Sequence, residues 1–326
     1  MLIMLVLVSW GVTRTIAPTQ ASDRNIKLAL VQPSIPQNLI FDAGESTNRF
    51  RQIMELSRAA LATEPDVLIW PEASLPASLS QEFFDEIMEM MTTHSTPIIF
   101  GGLDWDEIPA EDGQRNFRAY NSAFYFDENG RHLGTYRKQR LVIFGEYTPF
   151  AKWIPFLAKI FPSGVGFGSG ELPKPFIVGP QNANIAVNIC FEDNFADVLR
   201  DEVKPDTDFV LNLTNNGWFS ESAAQWQHAA NAIFRAVENR VSLVRCTNNG
   251  LTCWIDEHGR IREIFRDEND SIYGRGFKTI TLPLLPTGTK RAPTFYHQYG
   301  DWFGWTCFGV TLLAVVRTRF RAVTAK

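Results

Sequence analysis

The sequence predicts an α/β layered sandwich whose sheets are buried. Between about residues 25 and 285, short apolar runs of strand length alternate with segments in which apolar residues recur at helical spacing. Two further pairs of runs flank turn sequences and are typical of hairpins. Apolar residues make up 45% of the 326 residues, which is enough for a large core. Strand–helix alternation together with hairpins favours sheets that are covered by helices.

The individual elements follow from these patterns in order along the chain. Apolar runs typical of buried strands lie at 26–31, 66–70, 97–100, 184–189, 208–213 and 241–245. Helical spacing predicts helices at 48–61, 83–91 and 223–239. Hairpin turns are predicted at 127–130 and 256–259. These turns read FDENGR and IDEHGR, 129 residues apart, and two related halves are one interpretation of the repeat.

Both ends of the chain are apolar. Residues 1–12 carry no charge, and residues 302–316 form an uncharged run that begins with aromatic residues and is followed by arginines. This pattern predicts a partial membrane helix at 1–18, a transmembrane helix at 299–317 and a basic cytoplasmic tail at 318–326. A domain at 25–285 would then lie on the opposite side, which is the periplasm in a bacterium. An amphipathic or buried terminal helix is the alternative.

Composition excludes several classes of function. The net charge of −5 gives no overall basic field, so nucleic acid is not an expected partner. No CxxC or HExxH motif is present, and no histidine lies at ligand spacing from the cysteines at 190, 246, 253 and 307. Cys246 and Cys253 could pair if they lie on adjacent strands, but two buried free thiols are expected. No metal site or disulfide framework is therefore expected. The glycines at 164–170 do not have the spacing of a phosphate-binding loop, and no cofactor is expected.

Cys190 is the first candidate for catalysis. It ends the apolar run NIAVNIC and stands before a turn. A junction of this kind exposes a nucleophile and offers backbone N–H groups to a thiolate or an oxyanion. A lone cysteine is also commonly a small buried apolar residue, and this alternative stays open on the residue alone.

Glu72 and Lys138 are two further candidates. Glu72 follows a buried strand in IWPEASLP, where apolar neighbours would raise its pKa and suit a general base. Lys138 ends a strand pattern, and Glu146 stands eight residues further on. A lysine beside a thiol would stabilise a thiolate and then a tetrahedral oxyanion. Taken singly, each residue could equally be a surface charge.

Four blocks in a fixed order carry a resemblance. IWPE, RKQRLVIFGEY, NICFED and LTNNGWF together resemble the nitrilase, or carbon–nitrogen hydrolase, superfamily. The resemblance implies a nitrilase-like α-β-β-α four-layer sandwich and a Glu–Lys–Cys triad. It implies that Glu72 is the general base, Lys138 the oxyanion stabiliser and Cys190 the nucleophile. Glu146 would support this triad.

Longer blocks are similar to one branch of that superfamily, the apolipoprotein N-acyltransferases. They are VQPSIPQNLIFD, YRKQRLVIFGEYTPF and the run from LTNNGWF to RCTNNGLT, and the resemblance covers about residues 26–285. It implies a monomeric enzyme of the bacterial inner membrane. The reaction would move a fatty acyl chain from a membrane phospholipid, through a thioester on Cys190, to the N-terminal diacylglyceryl-cysteine of a lipoprotein.

The same resemblance implies substrate-binding residues. Phe41 and Trp218 would line the approach of the lipid, and Phe191 and Glu192 would contact substrate beside the nucleophile. The sequence departs from the branch in three places. Ile143 stands where proline is common, and Phe191 stands where tyrosine is common. In place of a bundle of several membrane helices, only a twelve-residue apolar stub precedes the domain.

Two other functions fit the same residues. A membrane-tethered amidase or nitrilase would use the same triad to hydrolyse a C–N bond, with water as the acceptor. A non-catalytic binding module would recognise lipoprotein or a membrane protein and would leave Cys190 unreactive. Release of ammonia from small amides would indicate the amidase or nitrilase. Failure of Cys190 to react with any thiol probe or acyl donor would indicate the binding module.

Overall fold

Two six-stranded sheets form the centre of the fold. This computed structural model describes residues 2–15, 22–40, 42–75, 80–109, 115–150, 153, 156, 166–171 and 173–324. The first sheet contains β1 (Asn25–Gln32), β2 (Val67–Ile69), β3 (Ile98–Pro109), β4 (Arg115–Phe126), β5 (His132–Arg137) and β12 (Gly276–Pro283). The second contains β6 (Phe176–Val178), β7 (Ala183–Ile189), β8 (Phe209–Thr214), β9 (Ser242–Thr247), β10 (Cys253–Ile255) and β11 (Ile261–Ile264).

The two sheets share one topology. Their strand orders are β12-β1-β2-β3-β4-β5 and β6-β7-β8-β9-β10-β11. In each sheet three parallel strands are followed by an antiparallel hairpin and are bordered on the other side by one antiparallel strand. The hairpin turns also match. Asp127 accepts hydrogen bonds from the amides of Asn129 and Arg131. Asp256 accepts in the same way from the amides of His258 and Arg260. The predicted hairpins are confirmed, and this symmetry favours the interpretation of two related halves.

Helices cover the outer faces of both sheets. The helices of the domain are α2 (Gln37–Ile40), α3 (Ser46–Leu61), α4 (Gln81–His94), α5 (Ala196–Glu202), α6 (Ala224–Asn239) and α7 (Phe295–Tyr299). α3 and α4 pack Ile53 and Met91 against Trp70 of the first sheet. α5 and α6 pack Leu199 and Ala232 against the second sheet. The predicted helices therefore supply the two outer layers.

The inner faces of the sheets pack against each other. One apolar cluster joins Leu28 and Ile69 of the first sheet to Ile185, Leu211 and Val244 of the second. All five side chains are almost completely buried. Burial of apolar surface at about 25 cal/mol per Å² makes such a layer the main stabilising contribution to a fold. The predicted α-β-β-α four-layer sandwich is confirmed.

The ends of the chain differ from the prediction. The helices α1 (Leu2–Thr15) and α8 (Trp302–Thr324) do form. Within the described part of the chain, however, no helix is both long and apolar enough to cross a bilayer. The transmembrane helix expected at 299–317 is therefore not borne out by the described helices. Residues 16–18 of the partial helix expected at 1–18 lie outside the described residues.

Candidate active site

Cys190 lies where β7 ends and a short 3-10 helix, Cys190–Asn194, begins. Its φ is +54°, a left-handed conformation that costs energy in a residue with a side chain. The side chain is partly buried against the core between the sheets. Parallel β8 runs alongside β7, and Thr214 lies at its carboxyl end. The structure therefore places the thiol on a tightly constrained turn at the edge of the second sheet.

Glu72 reaches the same place from the first sheet. It follows β2, is 8% exposed and accepts two hydrogen bonds, from Asn121 Nδ2 to Oε1 (2.7 Å) and from the Asn215 amide to Oε2 (2.7 Å). Burial raises the pKa of Glu72; Lys138 lowers it and Glu146 raises it. The backbone passes so close to β3 that a Cβ on Gly101 would lie 2.6 Å from the Glu72 Cα. A glycine at 101 is thus required for this position of Glu72.

Lys138 follows β5 and is 1% exposed. Its Nζ donates to Glu146 Oε1 at 2.8 Å and lies 3.8 Å from Glu72 Oε1. Burial acts to lower the pKa of Lys138, but the negative charges of Glu72, Cys190 and Glu146 outweigh it, and the pKa lies above its usual value. The amine is therefore a fixed positive charge beside the thiol.

Asn121 and Glu146 complete the cluster. Glu146 Oε1 accepts from both Lys138 Nζ and Asn121 Nδ2 (3.0 Å), and its Oε2 accepts from the Val142 amide (2.8 Å). One amide group of Asn121 thus bridges the carboxylates of Glu72 and Glu146. The sequence analysis missed Asn121, and the only signal was a polar residue inside the strand pattern AYNSAFYF.

The electrostatics favour a protonated thiol with a base beside it. Burial and the neighbouring Glu72 raise the pKa of Cys190 to about 12, although Lys138 and the Thr214 hydroxyl lower it. A thiol with this pKa reacts only when a base removes its proton during the attack. Glu72, whose charge acts on the thiol and whose own pKa is raised chiefly by burial, is the base available to accept that proton.

Glu192 is placed differently from the prediction. It is fully buried, and its Oε1 accepts from the amides of Gln139 (2.6 Å) and Arg140 (2.9 Å). Its Oε2 accepts from the Ile189 amide (2.7 Å) and the Tyr136 hydroxyl (2.7 Å). With both oxygens engaged inside the protein, Glu192 joins the Cys190 turn to the segment after Lys138 rather than contacting a substrate.

The predicted aromatic residues have separate placements. Phe191 is partly exposed and packs edge-on against Phe195, with ring centroids 5.5 Å apart. Trp218 lies in the 3-10 helix Asn216–Phe219 and is 66% exposed. Phe41 lies outside the described residues. Contacts of these residues with a substrate stay predictions.

A buried charged group behind the nucleophile was not predicted. Asp193, fully buried, accepts from Arg245 Nη1 and contacts His228 Nε2 at 2.8 Å. Arg245 belongs to β9 and His228 to α6, so the group ties the 3-10 helix at Cys190 to two other elements. The sequence blocks WQH and RCTNNG contain His228 and Arg245, but nothing in them indicates that both meet Asp193.

Among the described residues, neither a group of metal ligands nor the groove beside β5 coincides with this cluster. In the described ranges no three His, Cys, Asp or Glu side chains lie together as metal ligands. A groove of about 640 Å³ opens beside β5, and its lining includes Arg118, Arg137 and Lys174 but none of the three triad candidates.

Comparison with known proteins agrees with this geometry. The carbon–nitrogen hydrolase family profile matches residues 27–272. An apolipoprotein N-acyltransferase from Geobacter metallireducens is 32% identical over 99% of this chain and 59% of that protein. An apolipoprotein N-acyltransferase 2 from Treponema denticola is 31% identical over 88% of this chain and 54% of that protein. The chain thus spans somewhat over half the length of these curated relatives.

Solved structures show the same fold. An amidase from Nesterenkonia sp. superposes with a TM-score of 0.54 at 17% identity, covering 81% of this chain and 92% of that chain. A mutant of that amidase, from the nitrilase superfamily, gives a TM-score of 0.56 at 15% identity, with 82% and 93% coverage. At these identities the likeness concerns the fold alone.

Proposed function

The chain belongs to the carbon–nitrogen hydrolase family, and we propose that it is a lipoprotein N-acyltransferase. In this proposal a fatty acyl chain passes from a phospholipid to a thioester on Cys190, and then to the amino group of a lipoprotein's N-terminal diacylglyceryl-cysteine. The observation that carries the proposal is the convergence of Glu72, Lys138 and Cys190 at the facing ends of the two sheets. The names of the curated relatives support the choice of acyl donor and acceptor.

The first half-reaction forms the thioester. Glu72 removes the proton of the Cys190 thiol while Sγ attacks the ester carbonyl of the phospholipid. Lys138 stabilises the tetrahedral oxyanion through its ammonium charge. Collapse of this intermediate breaks the ester C–O bond. The departing alkoxide takes the proton back from Glu72 and leaves as a lysophospholipid.

The second half-reaction uses the same residues in reverse. The amine of the diacylglyceryl-cysteine attacks the thioester carbonyl, and Glu72 accepts a proton from the nitrogen. When the intermediate collapses, the C–S bond breaks and the proton returns to the Cys190 sulfur. One base therefore serves both steps, and the two substrates react in turn, as in ping-pong kinetics.

Exposed aromatic side chains near the nucleophile support an apolar donor. Phe144, Phe191, Trp218 and Phe219 are all between 41% and 66% exposed. Soluble domains seldom leave several large apolar side chains exposed near one another unless they bind an apolar partner. We assign these residues to the acyl chain of the donor.

The proposed substrates also set the place of reaction. A phospholipid and a lipoprotein meet at a bilayer surface, and in a bacterium we assign this reaction to the periplasmic face of the inner membrane. The cluster is complete within one chain, which supports a monomer as the working unit.

An amidase is the second candidate. A Cys190 thioester could also form from an amide, with release of ammonia, and be hydrolysed by water. The likeness in fold to solved amidases is the observation that favours this candidate.

One experiment separates the two candidates. The purified protein is incubated with phospholipid vesicles and a synthetic diacylglyceryl lipopeptide, and the products are analysed by mass spectrometry. Transfer predicts a triacylated lipopeptide and a lysophospholipid in equal amounts, both lost in Cys190→Ser. Ammonia released from small amides, with no acylated peptide, would instead support the amidase.

A further inference from the structure

Glu202 is a buried carboxyl group with no cationic partner among the described residues. It is the last residue of α5, and only 8% of its surface is exposed. Its Oε1 accepts from Gln139 Nε2 at 2.7 Å and lies 3.1 Å from the Tyr136 hydroxyl oxygen. Its Oε2 is buried with no hydrogen-bond partner in the described part of the chain. An ionised carboxylate in such surroundings would be strongly destabilising.

The single hydrogen of the Tyr136 hydroxyl cannot satisfy both of its short contacts with carboxyl oxygens. The Tyr136 hydroxyl has one hydrogen, and its oxygen lies 2.7 Å from Glu192 Oε2 and 3.1 Å from Glu202 Oε1. Burial raises the pKa of Glu192 as well, but its carboxylate accepts three backbone amides and is close to the charge of Lys138, which both favour the ionised form. Glu202 accepts no described backbone amide, so Glu192 is the more readily ionised of the two. The Tyr136 hydrogen therefore belongs to Glu192. The contact between Tyr136 and Glu202 is then attractive only if Glu202 supplies a hydrogen of its own.

The charges around Glu202 also favour its protonated form. Burial raises the pKa of Glu202 well above its usual value, and the negative charges of Glu192 and Asp201 raise it further. Hydrogen bonds from Tyr136 and Gln139 lower it, but by less. Arg235 of the neighbouring α6 is engaged by Glu238 and by the Asn194 carbonyl. No described lysine, arginine or histidine forms an ion pair with Glu202.

We propose that Glu202 is a neutral carboxylic acid in the folded protein and acts as a positioning residue. Its proton is donated to the Tyr136 oxygen, Tyr136 donates to Glu192, and Glu192 holds the amides of Ile189, Gln139 and Arg140. The chain Glu202–Tyr136–Glu192 thus orients the turn of Cys190 and the segment after Lys138 together. This inference does not depend on the identity of the acyl donor.

The proton on Glu202 makes the site sensitive to alkaline pH. In the unfolded chain the carboxyl ionises near its ordinary pKa, whereas in the folded protein it stays protonated to higher pH. Stability is therefore fully present below the unfolded pKa and falls as pH rises through the folded pKa. Ionisation would place two carboxylates around one tyrosine hydroxyl and would loosen the turn that carries Cys190.

Infrared spectroscopy tests the proton directly. At neutral pH the wild-type protein should show the carbonyl band of a protonated, buried carboxyl group, and Glu202→Gln should lose one such band. Asp201→Asn is the matched control, since Asp201 is adjacent and mostly exposed, and it should leave the band unchanged. A spectrum in which Glu202→Gln removes only carboxylate absorption would overturn the proposal.

Two further readouts distinguish positioning from simple structural support. Between pH 7 and pH 9, the melting temperature should fall further in wild type than in Glu202→Gln or Glu202→Met. In a Cys307→Ser background, where the other free thiols at 246 and 253 are buried, iodoacetamide alkylation should report on Cys190. Glu202→Gln, whose amide can donate to Tyr136, should keep the neutral rate, and Glu202→Met should lower it several-fold.

These readouts can also contradict the inference without reference to acyl transfer. If both variants lowered the melting temperature by the same amount at every pH, Glu202 would be ionised or merely structural. Equal alkylation rates in Glu202→Gln, Glu202→Met and wild type would show that the turn does not depend on this proton. Either result would leave the proposed acyl-transfer reaction untouched.

Discussion

The ammonium group of Lys138 donates to Oε1 of Glu146 across 2.8 Å, and this pair lies almost completely out of contact with solvent. Because Glu146 provides the closer negative charge, Lys138 keeps a distance of 3.8 Å from Glu72. Glu72 thus has the longer of the two ion pairs that Lys138 forms. Burial raises the pKa of Glu72 above the usual value, Lys138 lowers it and Glu146 raises it. The pairing of Lys138 with Glu146 thus preserves Glu72 as a base.

Glu146→Gln should therefore slow the reaction although Glu146 does not touch the thiol. Without the charge at 146, Lys138 is expected to pair with Glu72, lower its pKa and weaken it as a base. We expect a decrease of about tenfold or more in the rate of Cys190 acylation, within the range known for general bases. Stopped-flow measurement of thioester formation checks this. An unchanged rate would mean that Glu146 has no role in setting the basicity of Glu72.

The raised pKa of Glu72 predicts an acidic limit to activity. Glu72 loses its ionised, basic form as the pH falls through its raised pKa. The rate should therefore begin to fall at a higher pH than it would if Glu72 had the pKa of an ordinary glutamate. Glu72→Gln should abolish this loss of rate at acidic pH and lower the rate by about 100-fold or more. The pH profile of acylation under single-turnover conditions gives the comparison. The same acidic limb in Glu72→Gln would assign it to another group.

Gly101 is predicted to be intolerant of a side chain. A Cβ there would lie 2.6 Å from both the Glu72 Cα and the Pro71 carbonyl oxygen. Gly101→Ala should displace Glu72, lower the rate at least tenfold and destabilise the fold by about 1–3 kcal/mol. Gly102→Ala is the control, because its nearest contact is the Phe124 ring at 3.4 Å. Equal effects of both changes on the rate would contradict the close approach at Glu72.

The buried pair of Asp193 and Arg245 predicts a large effect on stability. Arg245→Met should leave the Asp193 charge without its cation and lower the free energy of unfolding by about 3–5 kcal/mol. Asp193→Asn combined with Arg245→Met should recover part of that loss. Arg58→Met, in an exposed pair with Glu86, should cost at most about 1 kcal/mol. Urea titration measures all three, and a small loss in Arg245→Met would show that the pair contributes little.

The layered fold and the three central residues could be predicted from the sequence. Strands such as 26–31 and 208–213 are nearly continuous apolar runs, and such runs are distinctive because both faces of the strand are buried. Glu72 and Cys190 each follow such a strand, whereas Lys138 follows a partly exposed hairpin strand. Strand ends meet at one edge of a layered structure. Their convergence agrees with the prediction, and their catalytic roles stay proposals.

Other features depend on contacts that are distant in sequence. Asn121 and Glu146 are 25 residues apart, and Asp193 and Arg245 are 52 apart. No local pattern identifies a polar residue whose partner comes from another strand. The resemblance implies a substrate contact for Glu192, and no local pattern indicates that its side chain is fully buried and engaged by Tyr136 and three backbone amides.

The most direct test of the proposed function is the mass of the protein itself. The purified chain is incubated with phospholipid vesicles and analysed intact by mass spectrometry, with Cys190→Ala treated in parallel. We predict a gain of one fatty acyl group in the wild-type protein, removed by hydroxylamine and absent from Cys190→Ala. An adduct that persists in Cys190→Ala, or a wild-type protein that gains no acyl group, would contradict a thioester on Cys190 formed from phospholipid.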